Sequence, residues 1–137
     1  MEKECVVFTN GCFDIIHYGH IELFKRAKNL GSKLIVGLNS DSSIKQLKGD
    51  SRPINNTLSR YTVLDAIQYI DAVIVFYEQT PIKLIESIKP DVLVKGSDWN
   101  GNIVGSEFVE SYGGRVETIK LIDGISTTEI IKRIRNV

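Results

Sequence analysis

Hydrophobic positions along the chain alternate between short continuous runs and helix-like spacing. The runs, which are typical of strands buried in a parallel sheet, lie at 5–8, 33–39, 72–76, 92–94 and 115–121. Between and after them, apolar residues recur at three- and four-residue spacing, which predicts helices at 21–30, 58–70, 81–88, 103–112 and from 127 onward. We therefore expect an α/β fold with a doubly wound, five-stranded parallel sheet in a single domain spanning residues 1–137.

Polar clusters stand at the ends of the predicted strands or in the loops that follow them. They occupy residues 9–20, 40–52, 95–99 and 123–128. In doubly wound sheets, ligands bind beyond the carboxyl ends of the strands, where the strand order reverses. We expect the four clusters to converge on one crevice there.

The first cluster holds both histidines of the chain, His17 and His20, at a predicted strand-to-helix turn. A helix N-terminus carries unpaired N–H groups and partial positive charge, which suit a phosphate, and Gly19 allows a bulky group to approach the backbone. The alternative is that the histidines only cap the helix or face solvent. Beyond Asp14 no metal ligand stands at suitable spacing, so we predict no metal site built from protein ligands.

The pattern Gly11-x-Phe13-Asp14-x-x-His17-x-Gly19-His20 resembles the signature of the HxGH nucleotidyltransferase superfamily, in particular its cytidylyltransferase-like members. The resemblance implies a Rossmann-like fold and transfer of a nucleotidyl group from a nucleoside triphosphate to a phosphorylated acceptor. It also implies that His17 and His20 contact the triphosphate as catalytic residues. The nucleotide-binding residues that we expect in this turn are Thr9, Asn10, Gly11, Phe13, Asp14 and Gly19.

A second stretch, near the other end of the chain, resembles the second signature of the same family. It consists of Gly124, Ile125, Ser126, Thr127 and Thr128. As local structure it is a helix N-cap, in which Ser126 or Thr127 satisfies the first helical N–H groups and Glu129 completes a capping box. The resemblance implies that all five residues bind the triphosphate, with Thr127 also taking part in catalysis.

Four basic residues are further candidates. Lys45 and Lys48 look like part of a mobile basic lid over phosphates, with Lys45 catalytic, although solvated loop lysines are the ordinary alternative. Lys95 ends a buried strand, so we expect it to point into the site, with Gly96 and Asp98 also binding the nucleotide. Arg60 lies in a predicted helix; the family often carries an arginine here, and the alternative is a surface or ion-paired residue.

Stretches along nearly the whole chain resemble adenylyltransferases that act on D-glycero-D-manno-heptose 1-phosphate. They are 48–55, 80–81, 93–98, 103–105, 113–114 and 123–128. In many bacteria that activity is the C-terminal domain of a bifunctional enzyme, behind a sugar kinase; here we expect a free-standing transferase. The alternative is a glycerol-3-phosphate cytidylyltransferase using CTP, a family that typically reads R-T-E-G-I-S-T-T, whereas residues 121–124 here contain no arginine. A catalytically silent nucleotide-binding module is a third possibility.

The composition of the chain limits the partners and the cellular location that we expect. Lys+Arg and Asp+Glu both number 17, so no overall basic field favours nucleic acid. The chain has two cysteines, no long apolar run and no signal-peptide pattern, which predicts a cytoplasmic protein without membrane contact. We expect a nucleoside triphosphate and a sugar or polyol phosphate as substrates, Mg²⁺ entering with the triphosphate, and, from the family resemblance, a homodimer.

Overall fold

The computed structural model describes residues 3–96 and 101–137, and within these ranges it confirms the predicted alternation of strands and helices. The strands are β1 (Val6–Gly11), β2 (Lys33–Asn39), β3 (Ala72–Phe76), β4 (Val92–Gly96) and β5 (Arg115–Ile119). The helices are α1 (Tyr18–Lys28), α2 (Asp41–Lys48), α3 (Thr57–Asp65), α4 (Ile82–Ile88), α5 (Ser106–Ser111) and α6 (Thr127–Arg135). None of the described helices combines the length and hydrophobicity that a membrane crossing requires.

The five strands form one parallel sheet in the order β3-β2-β1-β4-β5. The chain builds outward from β1 to β3 and then returns to place β4 on the other side of β1. The strand order therefore reverses between β1 and β4, and a crevice opens beyond their carboxyl ends. β1 pairs with β2 as far as Gly11 and Leu38, so it extends three residues beyond the predicted run.

Both faces of the sheet are buried, as the continuous apolar runs predict. Val7 packs in a cluster that includes Phe24 of α1, whereas Phe8 packs in a second cluster with Ile85 of α4 and Val109 of α5. Successive residues of a strand point to opposite faces, so these two neighbours serve two separate cores. The helices thus form a layer on each side of the sheet.

The polar segment after β2 differs from the expected loop, because much of it forms α2. Ser40 caps this helix by accepting a hydrogen bond from the Ser43 N–H at 3.2 Å. The Ser43 hydroxyl accepts from the Asn39 amide and donates to the Glu78 carbonyl, so the first turn of the helix is tied to the end of β2 and to the segment after β3. Serine-rich composition concealed this helix, since it presents only one large apolar residue, Ile44, to the core.

Two other helices are shorter than their hydrophobic patterns predict. α3 ends at Asp65, and the chain continues through tight turns in which Ile67 and Ile70 still pack on the core. These apolar turn residues prolonged the helical periodicity. α5 begins only after Gly105, which has a φ of +89° and lies so close to Ile85 that a Cβ would be 2.8 Å from it.

A buried arginine ties the carboxyl ends of the first two strands together. The Arg60 side chain, on α3, donates to the backbone carbonyls of Cys12, Asn39 and Asn55, each at 2.8 Å. It also donates to the Asp41 carboxylate at 2.8 Å, and the residue is only 2% exposed. Burial of such a charge is tolerated only because nearly every donor has a partner.

We predict that Arg60→Met lowers the free energy of unfolding by about 3 kcal/mol, because it removes the donors to three backbone carbonyls and one carboxylate and leaves no charge in their place. Urea denaturation followed by circular dichroism measures the loss. Arg26→Met is the matched control: Arg26 is half exposed and lies 3.6 Å from Glu22, so its loss is below about 1 kcal/mol. Equal effects of the two substitutions would contradict the structural role of Arg60.

Candidate active site

Three adjoining cavities open along the carboxyl edge of the sheet, where the predicted polar clusters converge. The histidine cavity, of about 360 Å³, is lined by His17, Gly19, His20, Leu23, Lys48, Arg52, Leu121, Ile122 and Ile125–Thr128. The central cavity, of about 370 Å³, is lined by Thr9–Asp14, His20, Leu23, Lys48, Arg52, Lys95, Gly96, Leu121 and Thr127. The lateral cavity, of about 480 Å³, is lined by Asn10–Cys12, Asn39, Leu47, Lys48, Gln79–Pro81, Leu93–Lys95, Ile103 and Val104. Lys48 lines all three.

Each of the two histidines uses one ring nitrogen to begin α1. His17 is the N-cap residue, and its Nδ1 accepts a hydrogen bond from the Gly19 N–H at 3.1 Å. His20 reaches back, and its Nδ1 accepts from the His17 N–H at 3.1 Å, which completes a capping box. A neutral imidazole that accepts at Nδ1 carries its proton on Nε2. Both rings therefore have an Nε2–H donor left for a ligand.

The surroundings of the histidines keep these rings neutral. Burial lowers the pKa of His20 to about 4, and the neighbouring His17 and Lys48 charges contribute to the shift. Burial also lowers the pKa of His17. The ring centroids of the two residues are 3.9 Å apart, so placing a positive charge on both is unfavourable. At neutral pH the pair consists of two uncharged hydrogen-bond donors.

The turn between β1 and α1 is held in an unusual backbone conformation. Phe13 and Ile15 have φ angles of 47° and 57°, in the left-handed region that non-glycine residues rarely adopt. The Phe13 ring packs edge-on against His20, with 5.7 Å between centroids, and a Cβ on Gly11 would lie 2.9 Å from that ring. At Gly19, a Cβ would lie 3.0 Å from the His17 ring. Gly19 therefore makes room for this histidine as well as for a ligand.

The second signature is joined to the first by a direct hydrogen bond. Ser126 caps α6 by accepting from the Glu129 N–H at 3.1 Å. The Thr127 hydroxyl donates to the backbone carbonyl of Asp14 at 2.7 Å, across 113 positions of sequence. This bond brings the N-terminus of α6 to the histidine cavity, so its free N–H groups and partial positive charge face the same space as the histidines.

The Asp14 carboxylate binds the backbone of a neighbouring segment. Its two oxygens accept the backbone N–H groups of Ile54 at 2.6 Å and Asn55 at 2.9 Å. In the described part of the chain, no group of three His, Cys, Asp or Glu residues is placed to hold a metal ion. Asp14 instead fixes the segment before α3 against the histidine turn.

Most of the predicted site residues line these cavities. Those that do are Thr9, Asn10, Gly11, Phe13, Asp14, His17, Gly19, His20, Lys48, Lys95, Gly96, Ile125, Ser126, Thr127 and Thr128. Lys45 is exposed on α2 outside the three cavities, and Gly124 lies outside them in a turn with a φ of +80°. Arg60 is engaged beneath the site, as described above, and Asp98 lies outside the described residues.

Sequence reasoning missed several lining residues, including three that each line two of the cavities. Arg52 and Leu121 line both the histidine and central cavities, and Cys12 lines the central and lateral ones. Burial raises the pKa of the Cys12 thiol, an effect that Lys48 and Arg60 oppose. The thiol is therefore protonated at neutral pH. The sequence feature that could have identified Arg52 as a site residue is its position shortly after Lys48 in a basic stretch.

An open parallel sheet with histidine donors and a helix N-terminus at its switch point defines a nucleotide-binding protein of Rossmann-like fold. Comparison with known families agrees with this class. The chain belongs to the cytidylyltransferase-like family, whose model matches residues 8–133.

Curated relatives include two proteins named bifunctional protein HldE. The one from Syntrophotalea carbinolica is 55% identical over 130 residues, which are 94% of this chain and 26% of that protein. The one from Campylobacter fetus is 52% identical over 131 residues, 95% of this chain and 28% of that protein. The chain thus spans about a quarter of the length of these relatives.

Solved structures support the same fold. A lipopolysaccharide core biosynthesis protein from Thermoplasma volcanium superimposes with a TM-score of 0.72 at 27% identity, covering 88% of this chain and 98% of its own. A pantoate-beta-alanine ligase from Francisella tularensis, at 15% identity and a TM-score of 0.62, covers 100% of this chain and 72% of its own and shares the fold.

We predict that the stability of the protein falls as the pH drops from about 6.5 to about 4. The unfolded chain binds a proton at His20 near pH 6.5, whereas the folded chain does so only near pH 4, so acid favours unfolding in this window. The loss from this group is at most about 3 kcal/mol. Urea titrations across the window measure it.

His20→Gln provides the control, because glutamine at this position keeps a capping acceptor but does not titrate. The dependence of stability on pH should be smaller in this variant than in the parent. An unchanged dependence would show that other groups are responsible.

Proposed function

We propose that the protein is a nucleotidyltransferase that condenses a nucleoside triphosphate, preferably ATP, with a sugar phosphate, preferably a heptose 1-phosphate. The products are a nucleotide-activated sugar and pyrophosphate. The acceptor's phosphate oxygen attacks the α-phosphorus, a P–O bond forms, and the bond to the pyrophosphate leaving group breaks. A sugar phosphate is already an anionic nucleophile, so no dedicated general base is required.

One observation carries this proposal: the capping arrangement leaves two neutral Nε2–H donors beside the N-terminus of α6, in a cavity that Lys48 also lines. Negative charge builds up on the phosphoryl oxygens in the transition state. Donors that are already oriented stabilise that charge without reorganising. Because His17 and His20 are fixed by their own Nδ1 bonds, they meet this requirement.

The choice of substrates rests on likeness to relatives and on the lateral cavity. Relatives at 55% and 52% identity are named bifunctional protein HldE, and the sequence stretches noted above resemble heptose-1-phosphate adenylyltransferases. The lateral cavity is lined by the polar side chains of Asn10, Gln79 and Thr80, which suit the hydroxyl groups of a sugar. Lys95 lines this cavity and the central one, between a sugar and the reacting phosphates.

Mg²⁺ would enter as part of the nucleotide substrate. The donors along the histidine cavity are cationic or neutral, and the Asp14 carboxylate of the central cavity already accepts two backbone N–H groups. This set fits a metal held chiefly by phosphate oxygens and water. When bound, Mg²⁺ neutralises charge on those oxygens.

The remaining expectations rest on the family resemblance and the sequence. We propose a homodimer, which light scattering would reveal as twice the mass of the chain, and a cytoplasmic location, where nucleoside triphosphates are available. Lys45 would reach the phosphates only if α2 moves toward the cavities on binding. Glycerol-3-phosphate cytidylyltransferase activity is not favoured, because Leu121 and its neighbours supply no arginine before the second signature.

We predict that His17→Asn and His20→Gln lower kcat by about two to four orders of magnitude, because each removes one donor to the developing charge. Both replacements keep a side-chain acceptor for the cap, so the melting temperature should change little. A pyrophosphate-release assay measures turnover. Near-normal turnover in both variants would remove the histidines from the mechanism, whereas a large loss of stability would mean that the cap was not preserved.

We also predict that ATP with a heptose 1-phosphate gives a higher kcat/KM than CTP with glycerol 3-phosphate. A pocket built for one base and one acceptor leaves buried polar groups unpaired with another. The same assay, run with ATP, CTP and GTP against both acceptors, ranks the pairs. A tenfold preference for CTP with glycerol 3-phosphate would overturn the substrate assignment, and no release with any pair would favour a silent nucleotide-binding module.

A further inference from the structure

Arg52 is a half-buried cation whose charge has no carboxylate partner among the residues that the structure describes. It lines the histidine cavity and the central cavity. The described lining of the histidine cavity contains Lys48 and Arg52 but no acidic residue. Unpaired positive charges in a concave site focus a positive potential on it, which favours a polyanionic ligand.

The backbone on each side of Arg52 is anchored, which fixes the position of this residue beside the cavities. On one side, Gly49 ends α2 with a φ of +93°, and the Arg52 N–H donates to the Gly49 carbonyl at 3.3 Å. On the other side, the N–H groups of Ile54 and Asn55 are bound by the Asp14 carboxylate. The backbone of this segment therefore needs little further ordering when the side chain binds a ligand.

We propose that Arg52 binds phosphate oxygens in the pyrophosphate part of the triphosphate, an inference that rests on the proposed function. The planar guanidinium matches two phosphate oxygens at once, which a lysine ammonium does not. The histidine pair and the N-terminus of α6 line the same cavity from other sides. Arg52 would thus complete the set of charges that holds the leaving pyrophosphate.

Leu121 offers a way to test the position of this charge. It lines the same two cavities as Arg52 and is 37% exposed, so a longer side chain can be accommodated there. An arginine at position 121 would bring a guanidinium into the same space from a different element. Leu121→Arg should therefore compensate for the loss of Arg52 if the cation itself is what matters.

The experiment measures, by isothermal titration calorimetry, the binding of ATP, inorganic pyrophosphate and AMP to the purified full chain. We expect Arg52→Gln to weaken ATP and pyrophosphate binding by roughly 10- to 100-fold, while AMP, which lacks the pyrophosphate part, changes less than threefold. The affinity of Arg52→Lys for both ligands should lie between that of Arg52→Gln and that of the parent.

Two further variants test the role of the charge itself. Leu121→Arg in the Arg52→Gln background should recover at least a third of the lost affinity on a logarithmic scale. Arg133→Gln, the same charge change at an exposed position on α6, should stay within twofold of the parent.

The outcomes separate this inference from the proposed function. If the parent binds ATP and Arg52→Gln binds it equally well, the inference is overturned and the proposed function stands. Equal weakening of ATP and AMP, with no recovery by Leu121→Arg, would assign Arg52 a structural role and also overturn the inference. If the parent binds neither ATP nor pyrophosphate, the proposed function itself fails.

Discussion

The carboxyl edge of the sheet depends on the charge of one buried arginine. The ladder between β1 and β2 ends at Gly11 and Leu38, and an unsatisfied buried carbonyl beyond it is costly. Arg60 supplies donors to the carbonyls of Cys12, just after β1, and of Asn39, the last residue of β2, and to Asp41 at the start of α2. Burial by itself raises the pKa of Asp41, but the hydrogen bonds from Arg60 and Thr57 lower it overall, so the ion pair persists at neutral pH.

The basic residues at the carboxyl edge of the sheet have two different roles. Arg60 uses its donors within the protein itself, whereas Lys48 and Arg52 line the histidine cavity, whose described lining holds no acidic residue. A cation that is already paired adds structure but little attraction for a ligand; an unpaired one in a cavity does the reverse. Different basic residues therefore perform the two tasks: Arg60 positions the loops of the site, and Lys48 and Arg52 provide the charges that would bind a triphosphate.

The histidine turn uses the two nitrogens of each ring for different purposes. Nδ1 begins α1 through the capping box, and this bond leaves the proton on Nε2. Local helix formation thus orients the groups that the proposed chemistry needs. Capping the helix and binding a phosphate are therefore compatible roles, because His17 and His20 cap α1 through Nδ1 and keep Nε2–H available for a ligand.

The alternation of strands and helices, the burial of the sheet on both faces and the two signature turns could all be predicted from the sequence. These features follow from hydrophobic periodicity and capping, which act between residues close along the chain. α2 escaped detection because its buried Ser43 binds the Asn39 amide and the Glu78 carbonyl, so the helix buries a polar side chain where the pattern looks for an apolar one. The position of β1 next to β4, and the bonds by which Arg60 and Asp14 fix the loops at the carboxyl edge, became visible in the folded molecule. The fold also brings Arg52 and Leu121 to the same two cavities. These residues are about 70 positions apart in the sequence, so their proximity depends on tertiary packing and leaves no trace in any local sequence pattern.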